Sequence, residues 1–270
     1  PELLVSLKSA LIGNSGIAIG NVVGSNIANI ALVLGLTALI FPIITDRQTK
    51  IIDYPVMLGA TLLFYLLALD GSLSFVEGII FVSIIVVFIT LRIRNSRSKN
   101  DTSVPKEEER SKISIWRTLG FLLLGFLGLN FGAQWFIEGA VFLSDHFLEG
   151  NPNKDTIIGV TVIAFGTSAP ELAASCVAAY RREVDISVGN LIGSNIFNIF
   201  VVLGITSVVT RLEVSSDVME FDMIWMIAIA ILLLIILLVG KRIGRLKGAI
   251  LFSTYLVYIG IILMRVKGIV

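Results

Sequence analysis

Long apolar runs separated by short polar breaks dominate the chain. Nine can be traced, roughly 1–13, 17–42, 53–70, 74–93, 114–146, 156–180, 186–210, 219–240 and 246–266. An α-helix needs about 20 apolar residues to cross ~30 Å of hydrocarbon. All but the short first run approach or exceed that length. None alternates with the period of two that a half-buried strand requires, so the pattern predicts helices. Between 94 and 113 the sequence turns polar, RNSRSKNDTSVPKEEERSKI. This predicts a solvated linker dividing the chain into parts 1–93 and 114–270.

Charge adds an orientation. Fifteen Lys and Arg fall in alternate breaks: Arg47 and Lys50, seven in and around the linker, Arg181 and Arg182, then Lys241, Arg242, Arg245 and Lys247. The opposite breaks hold only Lys154, Arg211, Arg265 and Lys267, with Lys8 near a helix end. Cytoplasmic loops carry the excess of Lys and Arg, so the linker is expected in the cytoplasm and the C-terminus outside. Hydrophobic residues make up 56% and charged residues 15% of the chain. Soluble domains average about 45–50% and about 25%, so a lipid bilayer is the expected surrounding. No basic patch interleaved with aromatics suggests nucleic acid. The single Cys176 excludes an internal disulfide and a multi-thiolate metal site.

The decisive pattern is an internal repeat. PELLVSLKSALIGNSGIAIGNVVGSNIANIALVLGLT from Pro1 aligns without a gap on PELAASCVAAYRREVDISVGNLIGSNIFNIFVVLGIT from Pro170, at an offset of 169, with eighteen of 37 positions identical. The identities include Glu2/Glu171, Ser6/Ser175, Asn21/Asn190, Ser25/Ser194, Asn26/Asn195 and Asn29/Asn198. Convergent apolar helices would share Leu, not this polar set. Five crossings separate the break inside the first copy from that inside the second, so the copies are expected to be inverted across the membrane. That architecture belongs to secondary transporters, and channels also use it.

Glu171 lies well inside an apolar run and Glu2 is its repeat mate; an intramembrane carboxylate is a functional residue by default. On a helix Thr167, Ser168 and Glu171 share a face, as do Ser25 with Asn29 and Ser194 with Asn198. Pro170 has no N–H, so the Gly166 carbonyl is expected to lose its helical partner and join the oxygen set. Carboxylates, hydroxyls, amides and carbonyls suit a hard cation such as Ca²⁺, whereas Zn²⁺ or Cu⁺ would want His or Cys. Gly20, Gly24, Gly189 and Gly193 are expected to let helices approach closely. Glu138 is expected at an interface, His146 at the surface, and Asp217, Glu220 and Asp222 on a solvated outer face. An intramembrane hydrolase using Glu2 and Glu171 finds little support, since Gly166-Thr167-Ser168 lacks the G-x-S-x-G turn.

At GTSAPEL followed by GNLIGSNIFNI, and PEL followed by GNVVGSNIANI, the chain resembles the sodium/calcium exchanger family of cation antiporters. The resemblance implies an all-α, polytopic ten-helix fold of two inverted halves of five, with alpha-repeats at 1–37 and about 159–206. The first helix and part of the second would then precede Pro1. It implies exchange of Na⁺ for Ca²⁺ by alternating access in a prokaryotic plasma membrane, by a monomer with no cofactor besides the transported ions. A cation/proton antiporter of the same fold is the alternative. Glu2 and Glu171 would be shared central ligands, completed by Thr167, Ser168, Ser25, Asn29, Ser194, Asn198 and the Ala164 carbonyl. Pro1, Pro170 and the glycines, Gly166 included, would shape the helices. Some relatives carry Asp where this chain has Asn198, which leaves one fewer titratable group here and bears on proton coupling.

Overall fold

The computed structural model describes residues 1–45, 48–99, 115–151, 153–180, 184–240 and 242–266. The linker beyond Lys99, with Lys106, Arg110 and Lys112, lies outside the described residues, as do Arg47, Arg181, Arg182, Lys241 and Lys267.

Helix α1 (Glu2–Leu11) turns through Gly13 into α2 (Ser15–Ile27), which runs through a π-helical segment, Ala28–Leu34, into α3 (Gly35–Ile40). Strand β1 (Ile43–Ile44) precedes a second π segment, Thr49–Asp53, and α4 (Tyr54–Leu67); β2 (Ser72–Leu73) then leads to α5 (Phe75–Lys99). The second part opens with α6 (Ile115–Phe147) and α7 (Lys154–Ile158), then a π segment, Gly159–Ile163, and α8 (Ala164–Tyr180). Next come α9 (Val184–Phe197), the π segment Asn198–Leu203, α10 (Gly204–Val209) and β3 (Leu212–Glu213). The π segment Val218–Asp222, α11 (Met223–Leu238), β4 (Arg242–Ile243) and α12 (Arg245–Val266) complete the chain.

Seven helices among the described residues are long and apolar enough to cross a membrane. They are sorted by burial. The most apolar stretch of Ser15–Ile40 is 83% buried and that of Val188–Val209 61%, against 17% in Phe75–Arg94 and 22% in Arg245–Val266. The repeated segments therefore form the centre, and the later helix of each part presents its apolar surface outward.

The offset of 169 continues beyond the repeat seen in sequence. The π segments Thr49–Asp53 and Val218–Asp222 correspond residue for residue. So do Gly71 and Gly240, whose φ values of 81° and 92° lie where a Cβ would be strained. The contacts between the parts are doubled. Strand β1 pairs antiparallel with β4, Ile43 opposite Ile243, and β2 pairs with β3, Leu73 opposite Leu212. Helix α5 crosses α10 where a Cβ on Gly78 would sit 2.8 Å from the Gly204 carbonyl oxygen; α12 crosses α3 where one on Gly248 would sit 2.7 Å from that of Gly35. Lysines finish the C-terminal end of α11. Lys50 Nζ donates to the carbonyls of Leu237 and Gly240 at 3.1 and 3.0 Å, and Lys247 donates to those of Ile236, Val239 and Arg242. These carbonyls lack helical donors, and a cation suits the negative end of the helix dipole.

Expectations for α5, α8 and Asp222 differ from the structure. Helix α5 runs on to Lys99 through the start of the polar stretch, because a formed helix propagates cheaply past its apolar end. Helix α8 continues through Pro170 without unwinding, and the irregular turn lies earlier, at Gly159–Ile163. Asp222 is not on a solvated face: it is 4% exposed and accepts a 2.7 Å hydrogen bond from Tyr258.

Candidate functional site

The site lies where α1, the α2–α3 segment, α8 and the α9–α10 segment meet. Antiparallel packing of α1 on α2 is set by Ser6, whose hydroxyl donates to the Ala18 carbonyl at 3.3 Å and accepts from Asn21 Nδ2 at 2.9 Å. The same amide reaches the Glu2 carbonyl oxygen at 3.3 Å. Asn21 Oδ1 accepts from Thr167 of α8 at 2.9 Å, and the Thr167 hydroxyl lies 3.1 Å from that of Ser25 and 3.4 Å from the Ala164 carbonyl oxygen. A continuous polar chain thus joins Glu2, Asn21, Ser25, Thr167 and Ala164 across the two repeats. Close approach of the backbones permits it. A Cβ on Gly24 would lie 2.5 Å from Ala164 Cβ, and one on Gly20 would lie 2.9 Å from the Thr156 carbonyl oxygen.

Glu2 is 7% exposed. Glu171, one helical turn beyond Thr167, is half-buried and close enough to Glu2 for the two carboxylates to act on each other electrostatically. The ion pairs Arg92–Asp53 at 3.2 Å, Arg265–Asp217 at 3.2 Å and Lys154–Asp145 do not involve Glu2 or Glu171, whereas the amino group of Pro1 lies 3.6 Å from Glu2 Oε2. Among the described residues, Glu171 Oε2, Ser168 Oγ and Asn29 Oδ1 at the site have no hydrogen-bond partner, as is also true of the buried hydroxyls of Ser9, Thr37, Ser175 and Thr206. Buried polar atoms are normally satisfied, so the three at the site are acceptors left open in a region carrying two acidic groups.

A second polar cluster lies beside the first. Asn29 Nδ2 donates to Asn195 Oδ1 at 2.9 Å, and Asn198 Nδ2 to Asn26 Oδ1 at 3.3 Å. Asn29 and Asn198 both sit at the start of π segments, where the wider turn redirects side chains and frees backbone groups. All four amides are at most 2% exposed, while Ser194 is only half-buried. Gly166 is filled by Phe136 of α6, whose ring would meet a Cβ there at 2.1 Å. The close helix approach expected at Gly189 and Gly193 is not found among the described residues: Gly193 has no neighbour within 4 Å of a built Cβ, and Gly189 has only Thr49 Oγ1 at 3.9 Å. Pro1 and Pro170 are exposed. Glu138 is exposed and accepts from Gln134 at 3.0 Å, and His146 is exposed.

Sequence reasoning passed over Asn21, Asn26 and Asn195 as functional residues. Their signal was present, since each is an identical polar residue in both copies. Two clefts open at opposite ends of the molecule, one mainly polar and the other mainly apolar. One, of ≈ 660 Å³, is lined by Asn14, Ser15, Asp155 and Glu213 among others. The other, of ≈ 640 Å³, is lined by Ile85, Phe88 and Phe197 together with Gln48, Asp53 and Arg92 among others.

This is the build of a helical integral membrane transporter, with a buried oxygen cluster assembled from two copies of one motif. The family described as sodium/calcium exchanger protein matches residues 1–94 and 117–264, and the chain belongs to that family. It is 37% identical over 265 residues to the putative antiporter CaxA of Alkalimonas amylolytica, spanning 96% of this chain and 82% of that protein. It is 32% identical over 302 residues to the sodium/calcium exchanger MaX1 of Methanosarcina acetivorans, spanning 96% and 83%. Among solved structures, the sodium-calcium exchanger NCX_Mj soaked with 2.5 mM Na⁺ and 1 mM Sr²⁺ superposes with a TM-score of 0.70 at 31% identity, covering 96% of this chain and 81% of that one. These relatives are named as exchangers or antiporters, not enzymes.

Proposed function

We propose that the protein exchanges Na⁺ for Ca²⁺ across the membrane by alternating access to one site formed by Glu2, Glu171, Thr167, Ser168, Ser25, Asn29, Ser194, Asn198 and the Ala164 carbonyl. Support comes first from the three unpartnered oxygens Glu171 Oε2, Ser168 Oγ and Asn29 Oδ1. They are open acceptors of the hard type that Ca²⁺ and Na⁺ take, beside the carboxylates of Glu2 and Glu171. Two carboxylates carry about −2, which one Ca²⁺ or a group of Na⁺ balances. An empty site holds two like charges in a low-dielectric interior and resists a change of access. Transport of one ion species is therefore tied to return of the other. The polar cleft lined by Asn14, Ser15, Asp155 and Glu213 is one aqueous approach. In this reading the two halves are inverted, and the Lys and Arg distribution supports a cytoplasmic linker and an outward C-terminus.

The test is uptake of radiolabelled calcium into proteoliposomes driven by an outward sodium gradient. Wild-type protein accumulates calcium, and Glu171→Gln, which removes one charge and little volume, abolishes accumulation. Undiminished flux in that variant defeats the assigned site. Calcium movement driven by a pH gradient without sodium replaces the proposal with a cation/proton antiporter.

A further inference from the structure

Asn26 and Asn195 are repeat mates, each 2% exposed. Each accepts a hydrogen bond from the site amide of the opposite copy, Asn198 and Asn29 respectively. Their own anchorage differs. Asn195 Nδ2 donates to the backbone carbonyl of Asn26 at 3.2 Å, with Met57 Sδ at 3.7 Å. Asn26 Nδ2 faces Met226 Sδ at 3.8 Å. A carbonyl oxygen only accepts, so Asn195 must present nitrogen to it and oxygen to Asn29. Asn29 must then answer with nitrogen, which leaves its oxygen, buried and unpartnered, on the other side. A thioether is a weak acceptor, so the amide of Asn26 is held in its orientation far less firmly.

We propose that Asn26 and Asn195 are positioning residues that decide which atom each site asparagine presents to the ion, Asn195 as a fixed anchor and Asn26 as one able to turn over. Asn195 locks Asn29 with Oδ1 toward the cation. Asn26 orients Asn198 in the same sense, but it can rotate its amide and donate instead. The two repeat-equivalent positions therefore differ in what they accept. A carboxylate at 29 would set one acceptor against the immovable oxygen of Asn195. A carboxylate at 198 would be met by the turned amide of Asn26 for the loss of a weak contact to sulfur. The inference rests on the exchange site proposed above.

The test compares Asn29→Asp, Asn198→Asp and Asn195→Ala in purified full-length protein. Two readouts are used: sodium-driven calcium uptake in proteoliposomes, and the calcium-dependent rise in melting temperature in detergent. Exchange falls at least about tenfold further in Asn29→Asp than in Asn198→Asp, as expected for a desolvated acceptor left facing another. Asn195→Ala raises the half-saturating calcium concentration about tenfold or more, while the maximal rate falls less. A purely structural residue would instead lower the rate with the amount of folded protein and leave the half-saturating concentration alone. Equal losses in the two aspartate variants, the reverse order, or unchanged calcium affinity in Asn195→Ala overturns the inference. If the wild type shows no sodium-driven uptake, the exchange proposal fails by itself. The calcium-dependent melting shifts of the same variants then still decide the positioning roles. They also serve where a variant inserts poorly into vesicles.

Discussion

Replacing Thr167 with valine removes one oxygen and keeps the side-chain volume. Thr167 Oγ1 lies 2.9 Å from Asn21 Oδ1 and 3.1 Å from Ser25 Oγ, and all three residues are at most 3% exposed. The Ser25 hydroxyl can rotate to another partner. Asn21 cannot compensate, because its Nδ2 is held by Ser6 Oγ at 2.9 Å and the Glu2 carbonyl at 3.3 Å. Its oxygen stays facing the new methyl group. A buried acceptor stripped of its donor costs about 1–3 kcal/mol, or roughly 5- to 150-fold if the whole loss appears in ion binding. Thr167→Ser keeps the hydroxyl and loses one methyl, worth about 0.8 kcal/mol. In sodium-driven calcium uptake, Thr167→Val is expected to raise the half-saturating calcium concentration at least about fivefold, and Thr167→Ser no more than about fourfold. A valine variant that matches wild type in both calcium affinity and melting temperature refutes the hydrogen-bonded link between the repeats.

Gly248→Ala forces a Cβ to within 2.6 Å of Leu39 N and 2.7 Å of the Gly35 carbonyl oxygen. It is expected to cost about 1–3 kcal/mol by overpacking, read as a lowered melting temperature. Gly260→Ala, in the same helix with nothing within 4 Å of a built Cβ among the described residues, should be neutral or slightly stabilising. Tyr258→Phe strips the 2.7 Å donor from the buried Asp222 and should destabilise by about 1.5–3 kcal/mol; adding Asp222→Asn should recover part of the loss in the same melt. Ile43→Cys together with Ile243→Cys, opposite each other in the β1–β4 pair, should form a disulfide on mild oxidation, since facing residues lie about 4.5–5.5 Å apart. Persistent reactivity of both thiols would contradict the register.

Much of the fold is legible in the sequence, because the repeat is carried by polar residues. Glu2, Asn21, Ser25 and Asn29 recur at 171, 190, 194 and 198, and no apolar helix needs them for packing. Local irregularity is what the sequence hides. A π segment opens at Ala28, between Ser25 and Asn29, and nothing in the local sequence marks it; one turn apart, Ser25 meets Thr167 and Asn29 meets Asn195. Pro170 misleads in the opposite direction: the helix absorbs it, and the irregular turn falls at Gly159–Ile163. Asp222 looks like a solvated acid beside Asp217 and Glu220, but its π turn directs it to Tyr258, a partner that lies 36 residues away and leaves no local trace. Asn26 and Asn195 were visible as identities. Their use was not, because an asparagine that orients another differs from a ligand only in three dimensions.

The doubled contacts between the two parts have a consequence for ancestry. β1 with β4 and β2 with β3, α3 with α12 and α10 with α5, Asn29 with Asn195 and Asn198 with Asn26 are each one interaction made twice. Self-complementary pairing of that kind is what a two-fold homodimer makes. A half-length precursor would have found every partner in a second copy of itself, and fusion of the two copies then let each member of a pair drift alone. The unequal anchors of Asn26 and Asn195 are a mark of that freedom, since no symmetric dimer can hold one in a backbone grip and the other against sulfur.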